Sequence, residues 1–135
     1  MVGERGVVLV NLTHPLTREQ LKEIERLLGA PVEHVIDRPA LLDDDAAFAD
    51  QARALVDAVG FRADEWQTRP IVVNLPGHSV VAALVLAEIH GRAGGFPPVL
   101  RVRRREPFNE YVVTELIDLQ AVRNAARQAR SGRGR

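Results

Sequence analysis

Two segments of the chain end on the same triplet, Val-Asn-Leu: Val7-Val8-Leu9-Val10-Asn11-Leu12 and Ile71-Val72-Val73-Asn74-Leu75. An apolar run of this kind is typical of a strand that is buried on both faces of a parallel α/β sheet. A histidine follows each triplet, His14 in the first case and His78 in the second. Since open α/β sheets bind ligands beyond the carboxyl ends of their strands, the sequence predicts a site where residues 11–14 face residues 74–79.

Length and composition indicate one globular domain. With 135 residues the chain can build one core but not two ordinary domains. Hydrophobic residues make up 46% and charged residues 27%, and no apolar run approaches the roughly 18 residues of a membrane span. Because residues 1–5 lead directly into a strand instead of a signal sequence, we expect a cytoplasmic protein with no membrane partner. The absence of cysteine excludes disulfides, zinc thiolate sites, iron–sulfur clusters and thiol catalysis.

The net charge of zero hides an uneven distribution. Residues 1–66 contain 13 acidic and 7 basic side chains, whereas residues 97–135 contain 4 acidic and 9 basic ones. A solvated C-terminal helix and tail are the favoured explanation, although residues 101–105 hold four arginines whose role the sequence leaves open. Since a basic field over the whole chain is missing, we predict no DNA partner.

Strand and helix patterns alternate along the chain. The predicted strands span residues 7–12, 32–36, 71–75, 99–103 and 111–117. The spacing of the last two favours an antiparallel pair at the edge of the sheet. With the helices between the strands, the pattern predicts the α/β fold class: a single three-layer domain over residues 1–130 with a mainly parallel sheet, followed by a frayed tail at residues 131–135.

Local signals predict where the helices begin and end. Residues 17–20 have the spacing of a capping box, and Gly29 is expected to end the helix that follows. The second helix is expected to begin after residues 43–45, with Asp45 as its N-cap, and to stop at Gly60. A metal-ligand cluster is the less favoured alternative for the three aspartates. Residues 65–68 are interpreted as a loop, and a last helix is expected over residues 118–130.

The third helix begins at Ser79 and continues as Val-Val-Ala-Ala-Leu-Val-Leu-Ala, which is apolar on every face. A helix of this composition cannot face water on any side. Because a small sheet covers only one side of it, we expect a second copy of the chain to cover the rest and to form a two-fold dimer. A helix that is fully buried inside one chain is the alternative interpretation.

The common catalytic motifs are absent from the sequence. It has no G-x-G-x-x-G, no G-x-x-x-x-G-K-[ST], no H-E-x-x-H and no Gly-x-Ser-x-Gly elbow. Neither a dinucleotide or nucleoside-triphosphate loop nor a zinc protease centre is therefore indicated, and we predict no cofactor and no metal. His34, in the middle of a strand, and His90, near a helix end, are interpreted as structural.

The two strand-end loops nevertheless suit a ligand with phosphates and adenines. Gly77 lets the backbone approach a ligand closely, and Ser79 is expected to cap the third helix while free N–H groups point at a phosphate. Asn11 and Asn74 suit adenine, because an asparagine amide can pair with N6 and N7. The alternative is that both asparagines only satisfy backbone groups in turns.

Five segments resemble a family of small stand-alone CRISPR-associated proteins from type III systems. They are Asn11-Leu12-Thr13-His14-Pro15-Leu16-Thr17, Glu65-Trp66-Gln67-Thr68, Val73-Asn74-Leu75-Pro76, His90-Gly91-Arg92-Ala93-Gly94-Gly95-Phe96-Pro97 and Leu119-Gln120-Ala121-Val122-Arg123. Their combined order along nearly the whole chain is more specific than any single segment. The resemblance implies a CARF-like Rossmann fold that recognises cyclic oligoadenylate, the messenger of type III systems, and a role as a ring nuclease or as a sponge that ends the signal.

The first hypothesis is sequestration of the ring by a homodimer. A two-fold dimer matches the even-fold symmetry of cyclic tetra-adenylate. Larger assemblies linked by the ligand are an open alternative. Binding would attenuate type III CRISPR antiviral signalling. The predicted ligand contacts are Asn11, Leu12, Thr13, His14, Asn74, Pro76, Gly77, His78 and Ser79.

Two other hypotheses belong to different functional classes. As an enzyme, the chain would be a slow, metal-independent ring nuclease that gives linear products with a 2′,3′-cyclic phosphate. His14 is the preferred acid or base and His78 the second candidate, because imidazole exchanges protons near neutrality. The last hypothesis is a non-catalytic scaffold that binds a protein partner through the third helix. Binding ranks above rapid catalysis because no lysine and no paired acid and base occur near the loops.

Overall fold

The computed structural model describes residues 6–132 of the chain, which form one sheet with helices on both faces. The strands are β1 (Val7–Asn11), β2 (Val32–Asp37), β3 (Ile71–Asn74), β4 (Val99–Arg105) and β5 (Glu110–Ile117). The helices are α1 (Arg18–Leu28), α2 (Phe48–Asp57), α3 (Ala63–Thr68), α4 (Ser79–Ala93) and α5 (Leu119–Arg130). The N-terminal lead of residues 1–5 and most of the expected tail, residues 133–135, lie outside the described residues.

The strand order places the predicted site at a switch point of the sheet. The order is β2-β1-β3-β4-β5, with parallel pairing from β2 to β4 and antiparallel pairing between β4 and β5. The predicted α/β class, with a mainly parallel sheet and an antiparallel edge pair, is therefore confirmed. The chain passes from β1 to β2 on one side and returns to β3 on the other side. In doubly wound, Rossmann-like sheets a crevice for ligands lies at this point.

The core consists of two apolar layers, one on each face of the sheet. On one face Leu9 and Val72 pack with Ile24 of α1. On the other face Val10 and Val73 pack with side chains of α2, α3 and α4. Successive strand residues point to opposite faces, so the continuous apolar runs in β1 and β3 fill both layers. This explains why the two central strands lack the polar alternation of a half-exposed sheet.

The start and end of α1 follow the sequence signals. The hydroxyl oxygen of Thr17 accepts a hydrogen bond from the N–H of Gln20 at 3.1 Å, and Gln20 Oε1 accepts one from the N–H of Thr17 at 2.8 Å. This reciprocal pair is the predicted capping box. Gly29 ends the helix with φ 67°, a left-handed conformation in which glycine has no Cβ penalty.

The second helix begins later than predicted, and the proposed cap at Asp45 is wrong. Ala47 is the N-cap of α2 and makes no side-chain cap hydrogen bond. Asp43 instead accepts the N–H of Asp45 at 2.9 Å through Oδ1, which closes a local turn. The side chain of Asp43 therefore satisfies the backbone of its own loop, as short polar side chains do in turns.

Residues 65–68, interpreted as a loop, belong to the short helix α3. The N–H of Arg62 donates to Glu65 Oε1 at 2.9 Å, which satisfies a free donor at the helix start. Trp66 is buried in the core and its ring meets Phe61 edge to face, with 4.9 Å between the centroids. Tertiary packing of this one large side chain stabilises a helix too short for its periodicity to be detected in the sequence.

Within a single chain, helix α4 leaves one stripe of its surface exposed. Val81, Val85 and Ile89 are buried, whereas Val80 is 53% exposed. Ala83, Ala87 and Gly91 are also exposed and continue the same stripe. The alternative of a helix fully buried inside one chain is therefore wrong, because α2 and α3 leave this stripe open. Its coverage by a second copy stays a prediction.

The last helix projects from the domain. Asp118 caps α5 by accepting the N–H of Ala121 at 2.9 Å, and Leu119 packs against the core. Residues 121–130 are exposed. None of the described helices has both the length and the apolar composition that a bilayer crossing requires.

Candidate functional site

A row of three polar side chains crosses the carboxyl end of the parallel sheet. Asn11 is the register partner of Asn74 in β3 and of Asp37 in β2. Asn74 Nδ2 donates to Asn11 Oδ1 at 3.0 Å, and Asn11 Nδ2 donates to Asp37 Oδ1 at 2.8 Å. The predicted juxtaposition of the two asparagine-tipped strands is therefore confirmed. Asp37 is not among the predicted site residues.

Asn11 also holds the loop that follows β1. Its Nδ2 donates a second hydrogen bond to the carbonyl of His14 at 2.8 Å, and its Oδ1 accepts the N–H of Thr13 at 3.4 Å. Asparagine has two N–H donors and two acceptor positions, so all four are used inside the protein. Asn11 is fully buried. A direct contact of its amide with adenine would require breaking these hydrogen bonds. The geometry therefore fits the alternative interpretation, in which the Asn11 side chain satisfies polar groups of the protein instead of a ligand.

An open groove lies beside this row on the α1 side of the sheet. Its volume is about 1120 Å³. Four of the predicted site residues line it, namely Thr13, His14, Asn74 and Gly77. The groove exceeds the roughly 300–1,000 Å³ of ordinary small-molecule pockets, so it has room for a ligand larger than a mononucleotide.

The remaining predicted residues lie elsewhere around the loops. Leu12 is 1% exposed and belongs to the core, and Pro76 is buried. His78 and Ser79 are exposed at the start of α4. The loop between β3 and α4 therefore contributes Gly77 to the groove wall, while its neighbours support or flank that wall.

His78, not Ser79, caps α4. Its Nδ1 accepts the N–H of Val81 at 3.4 Å, and its ring meets the ring of Phe48 edge to face with 5.0 Å between the centroids. The first N–H groups of a helix have no intrahelical acceptor, so those of Ser79 and Val80 remain available at this end. The expectation that Ser79 supplies the cap is wrong, because the imidazole of His78, one residue earlier, accepts the N–H of Val81.

The opposite wall of the groove comes from elements outside the predicted site. Gln20 and Glu23 lie on the first turns of α1, and Arg105, Asn109 and Tyr111 lie on the β4–β5 hairpin. One sequence signal could have indicated the α1 wall, because the capping box places the start of this helix directly after the β1 loop. The hairpin wall had no local signal, since it depends on how far two paired strands extend beyond the sheet.

Charges on the groove wall are mixed. Arg105 pairs with Glu110 at 3.0 Å between Nη1 and Oε1. Glu23 bonds to the guanidinium of Arg26, and this hydrogen bond lowers the pKa of the Glu23 carboxyl. Glu23 is therefore ionised near neutrality. Among the described groove-lining residues Arg105 is the one cation, beside Glu19, Glu23 and Glu110, so a polyanionic ligand would be held mainly by backbone N–H groups.

Within residues 6–132, no three histidine, aspartate or glutamate side chains converge closely enough to hold a metal ion. The three consecutive aspartates, residues 43–45, all lie exposed in the loop before α2. The candidate site consists of the polar row at the strand ends, the loops after β1 and β3, and the groove beside them.

Comparison of the chain with protein-family models, with curated proteins and with solved structures finds no match in any of the three.

Proposed function

We propose that this chain binds a cyclic oligoadenylate, most readily cyclic tetra-adenylate, and attenuates type III CRISPR signalling by sequestering it. The observation that carries the proposal is the groove of about 1120 Å³ at the β1/β3 switch point, which lies beside the Asp37–Asn11–Asn74 row and is lined by Asn74. Ligands of doubly wound sheets bind at this position. The resemblance of five segments to small CARF-like proteins of type III systems supplies the chemical class of the ligand.

The loop between β3 and α4 offers backbone donors to a phosphate ring. Gly77 is exposed, and a Cβ built on it would meet no atom within 4 Å, so its backbone is open to a ligand. The N–H groups at the start of α4 follow directly and favour anions through the helix dipole. Thr13 and His14 lie on the other side of the switch point and line the same groove. In this arrangement Asn11 positions the β1 loop and does not itself contact a base.

A homodimer is part of the proposal. The exposed stripe of α4 begins at Val80, next to the loop that carries Gly77. A two-fold axis that passes near Val80, at the start of this stripe, would bring two copies of the loop close together, and a ring of four adenylates has a matching two-fold axis. Each copy would then contact a chemically equivalent half of the ring.

A second candidate function is slow ring cleavage without a metal. His14 favours it, because its side chain is exposed on the groove wall while its carbonyl is fixed by Asn11. Cleavage would proceed by attack of a ribose 2′-oxygen on the adjacent phosphorus. The 2′-hydroxyl proton goes to a base, the bond from phosphorus to the 5′-oxygen breaks, and an acid protonates that oxygen. The products are linear with a 2′,3′-cyclic phosphate. Correct positioning of the attacking oxygen alone can support slow turnover.

Labelled cyclic tetra-adenylate distinguishes these functions. Purified protein is incubated with the ring in EDTA, and both retention on the protein and opening of the ring are measured over time. Retention of intact ring supports sequestration, and linear products support the nuclease. Absence of both would overturn the proposal and favour the scaffold that binds a protein through α4. Cyclic hexa-adenylate run in parallel tests the preference for four units.

Two matched pairs of variants locate the site. Gly77→Ala adds a methyl group that faces open space in the free protein, so it should leave stability unchanged and weaken retention severalfold. Ala54→Ser, exposed on α2 and outside the groove lining, is its control. In the nuclease hypothesis, His14→Ala should lower the rate of ring opening by about 100-fold or more, whereas His34→Ala on edge strand β2 should not. If Gly77→Ala retains the ring as well as its control does, Gly77 does not belong to the site. If His14→Ala opens the ring as fast as His34→Ala does, His14 does not belong to it either.

A further inference from the structure

We infer that the β4–β5 hairpin completes the ligand groove, with Tyr111 as an adenine-stacking residue and Gln20 as the residue that positions it. This inference rests on the proposed function, since it assigns a base contact within the same groove. Neither residue follows from the strand-end loops, which supply donors for phosphates but no flat apolar surface for a base.

The hairpin extends beyond the parallel part of the sheet. β3 has 4 residues and pairs with β4 only at Val73 and Val99, whereas β4 has 7 residues and β5 has 8. The part of the hairpin beyond Leu100 therefore pairs only with itself, from Arg101 opposite Glu115 to Arg105 opposite Glu110. This overhang forms the wall of the groove that faces α1.

Tyr111 is placed on this wall with an open ring. It lines the groove and is 53% exposed, although large aromatic side chains are usually well covered. Phe108 lies three residues away on the same hairpin with a similar exposure of 55%, but it is outside the groove and the guanidinium of Arg105 lies 5.2 Å from its ring centroid. Tyr111 is therefore the aromatic side chain positioned to stack on a base, since every base presents a flat face to an aromatic ring.

Gln20 connects the hairpin to the β1 loop. Its Nε2 donates to the carbonyl of Tyr111 at 2.7 Å, while its Oε1 accepts the N–H of Thr17 at 2.8 Å. One amide group thus completes the capping box of α1 and holds the backbone of the stacking residue. The amide nitrogen bonds to Tyr111 and the amide oxygen bonds to Thr17, so a substitution can remove one hydrogen bond and keep the other.

Substitution of Tyr111 tests the stacking role by calorimetric titration with cyclic tetra-adenylate. Tyr111→Leu should raise Kd at least about fivefold, the lower end of the cost of losing one base–aromatic stack. Tyr111→Phe keeps the ring and should stay within about twofold of the parent. Phe108→Leu is the matched control and should also stay within about twofold. Circular dichroism checks that all three variants are folded.

The outcomes separate the two proposals. If the parent chain binds no ring, the proposed function fails and the stacking role fails with it. If the parent binds and Tyr111→Leu binds as tightly as Phe108→Leu, the stacking role alone is overturned. Loss of affinity in Tyr111→Phe as well as in Tyr111→Leu would also overturn it, because the hydroxyl and not the ring would then make the contact.

Gln20→Glu tests the positioning role without ligand. Glutamate keeps the oxygen that accepts from Thr17 but cannot donate to the carbonyl of Tyr111. Hydrogen exchange of the hairpin amides should rise severalfold while exchange of the α1 amides is unchanged. Gln67→Glu is the control, since Gln67 donates to the carbonyl of Ala63 on α3 in the same way. Hairpin exchange equal to that of the control would overturn the role of Gln20.

Discussion

At the scale of single residues, Asn11 has a different task from the one that its sequence position indicates. An asparagine at a strand end suggests a ligand contact, but this side chain makes four hydrogen bonds to three neighbouring segments and is fully buried. Its removal would leave the amide of Asn74 and the carbonyl of His14 without their partner. A buried polar group without a partner costs more than a single hydrogen bond contributes.

Asn11→Ala should therefore lower the free energy of unfolding by about 2–4 kcal/mol. Urea denaturation followed by circular dichroism measures this change. Asn109→Ala is the control, because Asn109 is exposed on the hairpin and its loss should change stability by less than about 0.5 kcal/mol. An Asn11 variant as stable as the Asn109 variant would show that the polar row does not stabilise the sheet edge. Ligand retention by Asn11→Ala must be measured at a temperature where the variant is folded.

At the scale of secondary structure elements, two glycines with unobstructed surroundings should respond in opposite directions. Gly29 ends α1 with φ 67°, whereas Gly91 lies within α4 in a helical conformation, and a Cβ at either position meets no atom within 4 Å. Gly29→Ala should cost about 1 kcal/mol because alanine is strained in the left-handed region. Gly91→Ala should add about 0.5–1 kcal/mol of stability because alanine loses less backbone entropy in a helix. Chemical denaturation of both variants gives the two signs, and equal signs would contradict this account.

At the scale of the whole molecule, the exposed stripe of α4 is the surface on which the predicted dimer depends. Ala87 lies in the middle of this stripe and is exposed in a single chain. Ala87→Glu should convert a dimer to monomers, because a paired interface would bury the new carboxylate without a partner. Sedimentation equilibrium measures the mass of the parent and of the variant. Ala63→Glu, at the exposed start of α3, is the control. A monomeric parent, or a dimer that persists in Ala87→Glu, would exclude this surface as the interface.

The charge of the whole groove predicts how salt affects ligand binding. Arg105 is a cation on its wall, and acidic side chains also line it, so few counterions would be displaced when an oligoadenylate binds. With one arginine from each of two chains, the logarithm of the affinity should fall with the logarithm of salt concentration with a slope no steeper than about −1.5. Titrations between 50 and 200 mM salt measure the slope. A slope near −3 or steeper would show that cations outside the groove contact the ligand.

The sequence by itself determined the strands and most of the helix ends, but not helix α3 or the cap of α2. Hydrophobic runs and caps placed all five strands, the ends of α1 and the start of α4 within two residues, because these signals are local. They also indicated that Asn11 and Asn74 lie at neighbouring strand ends. Only the tertiary structure decided what these residues do there. The hydrogen bonds of Asn11 and the hairpin wall with Tyr111 depend on contacts between residues that are distant in the chain. The open stripe of α4 depends on how the other helices pack against it. The cap from His78 depends on the geometry of the imidazole at the helix start. Periodicity contains no information about such contacts, since it reports which face of an element is buried but not which group lies opposite.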